Sequence, residues 1–295
     1  MKSVMITGCA GFIGSHVVEE FLSAGYKVFG IDNLTYAGKN DNMSDFLSDS
    51  NFTFYKKDIT DTLDIKEIVK ENGIKWIINL AAETHVDNSI KNDFEFIRTN
   101  IIGTRSLLKV CRDIGIKILH FSTDEVYGST YNKSFIERSK LNPTNPYSAS
   151  KASSEHLITS YANTYGIKYI IVRPSNNFGN RQHDEKFLPT ILRKLKSGEK
   201  IPVYGNGQQE REWTYVKDTA KATRFILEHS SVNEIYNISS SFYLKNIDLV
   251  KKVCDNIDMD YRECIKFVED RPGHDFKYSI SSKKLKSLGF IMNNN

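Results

Sequence analysis

Paired cysteines, long apolar runs and blocks of one charge are all missing from this chain. Its four cysteines, Cys9, Cys111, Cys254 and Cys264, form no CxxC pair and have no histidine at ligand spacing. That excludes a disulfide framework and a thiolate metal site, so reduced thiols and no metal are expected. No run approaches the roughly 18 apolar residues of a membrane span. The N-terminus passes from Lys2 straight into a strand pattern, without the apolar stretch of a secretory signal. A cytoplasmic protein with no membrane partner is expected. The net charge is +4, but Lys and Arg are spread along the chain without a basic block. This argues against nucleic acid as the main partner. No internal repeat is visible, and the only low-complexity stretch is the terminal Asn293-Asn294-Asn295.

What is present is an ordinary globular composition, 40% apolar and 26% charged over 295 residues. That supports a real core and two domains, or one large α/β unit with an elaboration. Over the first 175 residues short apolar runs alternate with amphipathic segments. Runs at 3–7, 27–31, 53–57, 76–80, 117–122 and 169–173 read as strands. Segments 13–24, 63–72, 93–114 and 148–165 read as helices. The repetition predicts an α/β fold of Rossmann type, a doubly wound parallel sheet covered on both faces. After Arg173-Pro174 the loops lengthen and PVYGNGQQ (202–209) is rich in turn formers. Short helices are expected at 187–196, 217–229 and 246–254. A soft boundary near residue 175 divides a first part, 1–175, from a smaller one, 176–295, and the two can interleave.

The first strand runs into GCAGFIG, with Gly8, Gly11 and Gly14 ahead of the first helix. GxxGxxG serves the physics of a dinucleotide turn. It gives a tight bend, close backbone approach to a pyrophosphate, and helix N-terminal N–H groups facing the anion. A glycine triplet alone also fits a plain structural turn. Here Asp32 ends the next strand, 18 residues past Gly14. A carboxylate there accepts bonds from a ribose diol and repels a 2′-phosphate, so NAD is expected over NADP. Asp58 and Ile59 follow the third strand, where a side chain and a backbone group would bracket adenine. Leu80, Ala81 and Ala82 follow the fourth, with small residues suited to close cofactor approach. Ala-Ala is equally well explained as tight packing.

YSASK puts Tyr147 and Lys151 four apart, on one face of a helix that begins after Pro146. Of fifteen tyrosines only Tyr147 has Lys at i+4. A free phenol titrates near 10, and lowering it by about three units requires about 4 kcal/mol of differential stabilisation. An adjacent ammonium and a cationic nicotinamide ring have the right sign to supply it. Lys151 can also hold the nicotinamide ribose. The competing reading is a core tyrosine beside a surface lysine. STDEVYG (122–128) places two neighbouring acids, Asp124 and Glu125, just past the end of the fifth strand. They are either solvated loop residues or proton carriers.

GCAGFIG, DNLTYAG, LAAETHVDNSI, STDEVYG, YSASKASSEH, SNNFG, EKFLP, VYGNGQQEREW and EDRPGHD occur in this order. The series resembles the nucleotide-sugar 4,6-dehydratases of the extended short-chain dehydrogenase/reductase superfamily, over nearly the whole chain. The acid pair after Thr123 is the specific part, since 4-epimerases of that fold lack it. The resemblance implies that Tyr147 takes the proton of a sugar 4-hydroxyl as hydride leaves C4 for NAD⁺. The new ketone acidifies the C5 hydrogen. Glu125 removes it, Asp124 protonates the departing 6-hydroxyl, hydride returns to C6 and Glu125 reprotonates C5. Thr123 would hydrogen-bond the 4-oxygen. Elimination needs one carboxylate ionised and one protonated, and two close acids push their pKa values apart.

The resemblance also implies cofactor contacts from Phe12, Ile13, Asn33, Leu34, Thr35, Thr84, Thr99 and Asn177. It implies hexose contacts from Thr84 and Asn176. A diphosphate and nucleoside site is implied from Lys186, Phe187, Pro202, Tyr204, Arg211, Asn246, Arg271 and His274. Arg suits a diphosphate because it bonds in bidentate fashion. A lone Arg or Lys is as easily a solvated surface charge, and His85 and His274 are as easily packing residues. A homodimer through helices 93–114 and 148–165 is implied too.

Two segments depart from the family pattern. Arg173-Pro174-Ser175 stands where bacterial members have Cys before Ser, and NRQHDEKF replaces PYHFPEK. Both lie near the expected sugar pocket. The chain stops at Asn295, soon after LGF, where members continue with a helix over the nucleotide. Hexose and base are therefore open. dTDP- or UDP-glucose comes first, with UDP-N-acetylglucosamine, with or without C5 inversion, as a rival. A 4-epimerase and a non-catalytic NAD-binding module are the other readings. The acid pair speaks against the former, and the full set of Tyr147, Lys151, Asp124 and Glu125 against the latter.

Overall fold

The computed structural model describes residues 2–131, 133–270 and 274–292. Its first six strands are β1 (Ser3–Thr7), β2 (Lys27–Asp32), β3 (Phe52–Lys56), β4 (Trp76–Asn79), β5 (Lys117–Phe121) and β6 (Tyr169–Pro174). Then come β7 (Asn176–Phe178), β8 (Ile201–Tyr204), β9 (Glu210–Tyr215), β10 (Glu234–Ile238), β11 (Tyr243–Lys245) and β12 (Ile265–Val268). The helices are α1 (Phe12–Ser23), α2 (Thr62–Glu71), α3 (Val86–Lys91), α4 (Phe94–Phe96), α5 (Thr104–Ile114), α6 (Pro146–Tyr165), α7 (Phe187–Ser197), α8 (Val216–His229), α9 (Asn246–Asp255), α10 (Tyr261–Cys264) and α11 (Lys283–Ser287). Seven parallel strands form the main sheet in the order β10-β6-β5-β4-β1-β2-β3. β9 pairs with β7 and β11 in a second sheet, and β8 with β12 in a third.

The main strands are continuous apolar runs because both faces are covered. Along β1, Val4 and Ile6 pack with Val17 and Phe21 of α1 and Ile226 of α8, while Met5 packs with Ile65 of α2 and Leu107 of α5. A separate core joins Ile191 of α7, Val203 of β8, Trp213 of β9 and Leu249 of α9. α8 and β10 come from beyond residue 175 yet complete the main sheet and its cover. All four cysteines are buried and free.

Two expectations need correction. The single helix expected at 93–114 is broken: α4 runs into a π-helical stretch, Ile97–Gly103, before α5. Its Asn100 exchanges bonds with the Glu83 backbone, accepting its N–H at 2.9 Å and donating to its carbonyl at 3.0 Å. The wide turn is where that side chain leaves the helix to reach the end of β4. Pro202 and Tyr204, read as part of a turn-rich stretch, lie on strand β8. The turn begins only at Gly205, with φ of +55°.

Candidate active site

Strand order reverses between β1 and β4, and a cleft opens at their carboxyl ends. This is where an open parallel sheet leaves room for a ligand. Gly8, with φ of +69°, bends the chain there, and a Cβ on it would stand 2.7 Å from the Ala81 nitrogen. A Cβ at Gly14 would stand 1.9 Å from the Gly8 carbonyl oxygen. The turn therefore closes directly onto α1 and β4. At Gly11 only the Gly8 carbonyl oxygen, 3.2 Å away, comes near, and Gly11 lines the cleft. The missing side chain there is open space, which fits a pyrophosphate beside the start of α1.

Asp32 is buried, and its oxygens accept the N–H groups of Ala10 at 3.0 Å and Leu34 at 2.8 Å. Burial raises its pKa while these bonds pull it down. Phe12, Ile13, Asn33, Thr35 and Ala82 line the cleft with it. Leu34 does not, because its side chain packs against the core below. Further along are Asp58, Ile59, Leu80, Thr84, Thr99 and Asn177. Four donors already meet on Asp58: the Thr60 N–H and hydroxyl, the Asn33 amide and Arg98. Burial would raise this carboxyl, but Thr60 and Arg98 hold it below its usual range.

α6 starts with a reciprocal cap. Asn145 accepts the Ser148 N–H at 2.9 Å, Ser148 accepts the Asn145 N–H at 3.3 Å, and Pro146 takes the first helical position. The cap sets Tyr147 and Lys151 on successive turns facing the cleft, both buried. Burial lowers Lys151 to about 8, partly offset by Glu155. The Tyr147 phenol moves the other way. Burial, then Glu125 and Asp124, push it well above the ordinary phenol range, with only the Thr123 hydroxyl among the main influences pulling it down. The lowered phenol expected from Lys151 is not produced by the chain alone.

Asp124–Tyr127 form a single 3-10 turn after β5. Thr123 caps it, accepting the Glu125 N–H at 3.3 Å and donating to Asp124 Oδ1 at 3.2 Å. Asp124 is 2% exposed and its Oδ2 has no partner among the described residues. Burial, reinforced by Glu125 and Glu212, drives its carboxyl well above the usual range. Glu125 is half-buried and accepts from Tyr278 at 3.4 Å and Asn145 at 3.5 Å. Burial raises it too, but Arg211 and Lys186 pull it back.

The cleft continues into a second cavity that shares Thr84, Glu125, Asn176, Lys186 and Phe187 with the first. Pro202, Tyr204, Arg211, Asn246 and His274 line this extension. Arg211 donates to the carbonyls of Glu210 and Asp275, each at 2.9 Å, and lies over the Tyr278 ring at 4.4 Å. Lys186 donates to the Thr84 carbonyl at 3.0 Å. Arg271 lies outside the described residues. Glu83, Glu185, Asn145, Asp275 and Tyr278 also form the walls and were not foreseen. Asn145 carried a signal, since Asn before Pro is a helix cap. Asp275 ends the EDRPGHD motif but was given no role, and Tyr278 follows three residues later, outside any motif. Among the described residues no group of His, Cys, Asp or Glu could hold a metal, and no helix is long and apolar enough to cross a membrane.

The model of the NAD dependent epimerase/dehydratase family matches residues 4–239. Low-salt glycan biosynthesis protein Agl12 of Haloferax volcanii is 41% identical, covering 97% of this chain and 92% of its own length. The dTDP-glucose 4,6-dehydratase of Xanthomonas campestris pv. campestris is 38% identical, over 97% of this chain and 87% of its own. The crystal structure of DesIV, a dTDP-glucose 4,6-dehydratase from Streptomyces venezuelae with NAD and TYD bound, superposes with a TM-score of 0.96. It is 36% identical and covers 99% of this chain and 92% of that one.

Proposed function

The chain belongs to the NAD dependent epimerase/dehydratase family, and from that membership we propose its reaction in detail. It is an NAD-dependent nucleotide-sugar 4,6-dehydratase, a hydro-lyase that converts an NDP-hexose into the NDP-4-keto-6-deoxyhexose. The observation that carries the residue assignment is the contrast within the acid pair. Asp124 is buried with an unpartnered oxygen, whereas Glu125 faces the cleft beside two cations. That division supports an acid next to a base, which elimination of water requires. A 4-epimerase has no hydroxyl to expel and no use for it.

In this reading Gly11, Phe12 and Ile13 face the cofactor pyrophosphate, Asp32 the ribose, and Ala81, Lys151 and Asn177 the nicotinamide end. When bound, NAD supplies a hydride acceptor for C4 and a hydride donor for C6, on a ring that is cationic when oxidised. Thr123 holds the sugar 4-oxygen and Tyr147 receives its proton. Positive charge is needed beside that phenol before it can act as a base. Glu125 takes the C5 proton, Asp124 delivers its own to the 6-hydroxyl, which leaves as water, and Glu125 returns the proton to C5. Thr84 and Asn176 contact the hexose, while Lys186, Arg211, Asn246 and His274 surround the diphosphate and nucleoside. Glucose on dTDP or UDP is the first choice of substrate, supported by the names of the relatives.

The two functional parts, 1–175 and 176–295, interleave in this proposal, supported by β10 joining the main sheet. A homodimer along α5 and α6 is supported by exposed Phe94, Ile97, Ile102 and Tyr165 on or beside those helices. A cytoplasmic location is supported by the free thiols. The test is incubation with dTDP-glucose, UDP-glucose and UDP-N-acetylglucosamine in parallel. A 4-keto-6-deoxy sugar, with its alkali-dependent absorbance, is expected. A 4-epimer as sole product would overturn the proposal.

A further inference from the structure

One partly buried charge cluster takes no part in the chemistry above. Arg181 lies in the segment after β7 whose Gln182, His183 and Lys186 line the cofactor cleft. Its backbone is left-handed, with φ of +69°, an unfavourable conformation for a residue with a side chain. Side-chain bonds fix it there. Its Nη2 donates to Glu19 Oε1 at 2.7 Å and also to Asp45. Beside this bridge His16 Nε2 donates to the Asn180 carbonyl at 3.0 Å, and its Nδ1 faces Glu19 at 3.3 Å. The Arg181 side chain is 14% exposed and Glu19 31%, so water screens that pair only in part, while Asp45 is 66% exposed and its pair is the weaker tie. Burial would raise Glu19, but bonds from His16 and Arg181 bring it down to about 2 and keep it charged.

The three tied segments are the ones that surround the dinucleotide groove. Glu19 is on α1, whose first turn faces the pyrophosphate position. Asp45 belongs to the loop that starts at Asp32, and that loop is anchored to the glycine turn. Its Lys39 N–H and Asn42 amide both donate to the Ala10 carbonyl, at 3.1 and 2.8 Å. Arg181 brings the opposite wall onto both. We infer that Arg181 is a clasp that retains the bound dinucleotide. The inference rests on the dehydratase reading, in which one cofactor molecule accepts a hydride and must stay to return it. Arg181 touches neither cofactor nor substrate in this role. It is a positioning residue that closes the groove from outside.

The test measures release of radiolabelled NAD from the loaded protein after a chase with unlabelled NAD. Arg181→Met should release it at least about ten-fold faster, the scale of a lost charged hydrogen-bond pair. Arg181→Lys should restore part of the retention. The double change Glu19→Gln with Asp45→Asn cuts the same bridge from the other side and leaves the Arg181 backbone in place. It should speed release similarly, which covers the case of an Arg181 variant that fails to fold. Release within two-fold of the parent in either folded variant would overturn the clasp. So would a fall in kcat with unchanged release, which would place Arg181 in the service of the substrate loop. A parent protein that binds no NAD at all would instead overturn the cofactor reading.

Discussion

Asp124 and Glu125 are consecutive in the chain but occupy different electrostatic regions. Behind Asp124 the protein is dry and acidic. Its Oδ2 has no donor among the described residues, and Glu212, itself fully buried, adds to the repulsion from Glu125. Around Glu125 there is the open cleft, two donors from Asn145 and Tyr278, and the charges of Arg211 and Lys186. One 3-10 turn carries both and both line the cleft, so what separates them is the set of groups around each carboxyl. The difference teaches that acid and base are assigned by the groups facing each residue. Nothing in the dipeptide distinguishes them.

The largest effects come from removing either member of the pair. In the proposed reaction Glu125→Gln leaves no base for the C5 proton, so turnover should fall by roughly 10³-fold. Oxidation at C4 does not need Glu125, so reduced cofactor should accumulate on the protein and be visible by absorbance. Asp124→Asn cannot supply a proton to the 6-hydroxyl and should lose about 10²-fold, because water can replace it in part. Full elimination activity in the Glu125 variant would end the assignment of roles. A smaller effect is expected at Arg211. Burial raises Glu125, and Arg211 is the leading influence pulling it down. Arg211→Met should therefore raise the Glu125 pKa. In the proposed reaction Glu125 works ionised, so the acid limb of the kcat profile should move to higher pH, by about one unit for a lost close charge. A limb that stays in place would remove Arg211 from the electrostatics of the base.

Much of this was legible in the sequence wherever chemistry and local structure share a short stretch. GCAGFIG specifies a turn and a helix start within seven residues, and the structure has both. The buried strands announced themselves as apolar runs, with ends off by a residue or two. What stayed hidden depends on distant parts of the chain meeting. Tyr278 reaches Glu125 across 153 positions, and Arg181 reaches Glu19 across 162. No local pattern marks such pairs, because either partner alone is an ordinary surface residue type. The break in the 93–114 helix was hidden for a related reason. Its cause, Asn100 bonding to the Glu83 backbone, is a tertiary bond that overrides a good helical pattern. The phenol of Tyr147 teaches the same about energetics. Its spacing from Lys151 was readable, but the two acids and the burial that push it upward were not.

The finest test of the contrast is at Glu212, which touches no proposed substrate group. One of its oxygens accepts the Ser239 hydroxyl and the Ser241 N–H, the latter at 2.7 Å, so donors support its charged form on that side. The other oxygen has no partner among the described residues, and the carboxylate adds repulsion to Asp124. Glu212→Gln keeps the shape, retains an acceptor and removes the charge. The Asp124 pKa should then fall, since burial and Glu125 alone would remain to raise it. In the proposed reaction Asp124 works protonated, so the alkaline limb of the kcat profile should move to lower pH, by less than about one unit. The acid limb, which reports Glu125, should stay put. Arg211→Met moves the acid limb up and, because Arg211 also pulls Asp124 down, carries the alkaline limb the same way, whereas Glu212→Gln moves the alkaline limb down alone. If Glu212→Gln shifted the acid limb instead, the proton donor and acceptor would have to be exchanged between the two neighbours.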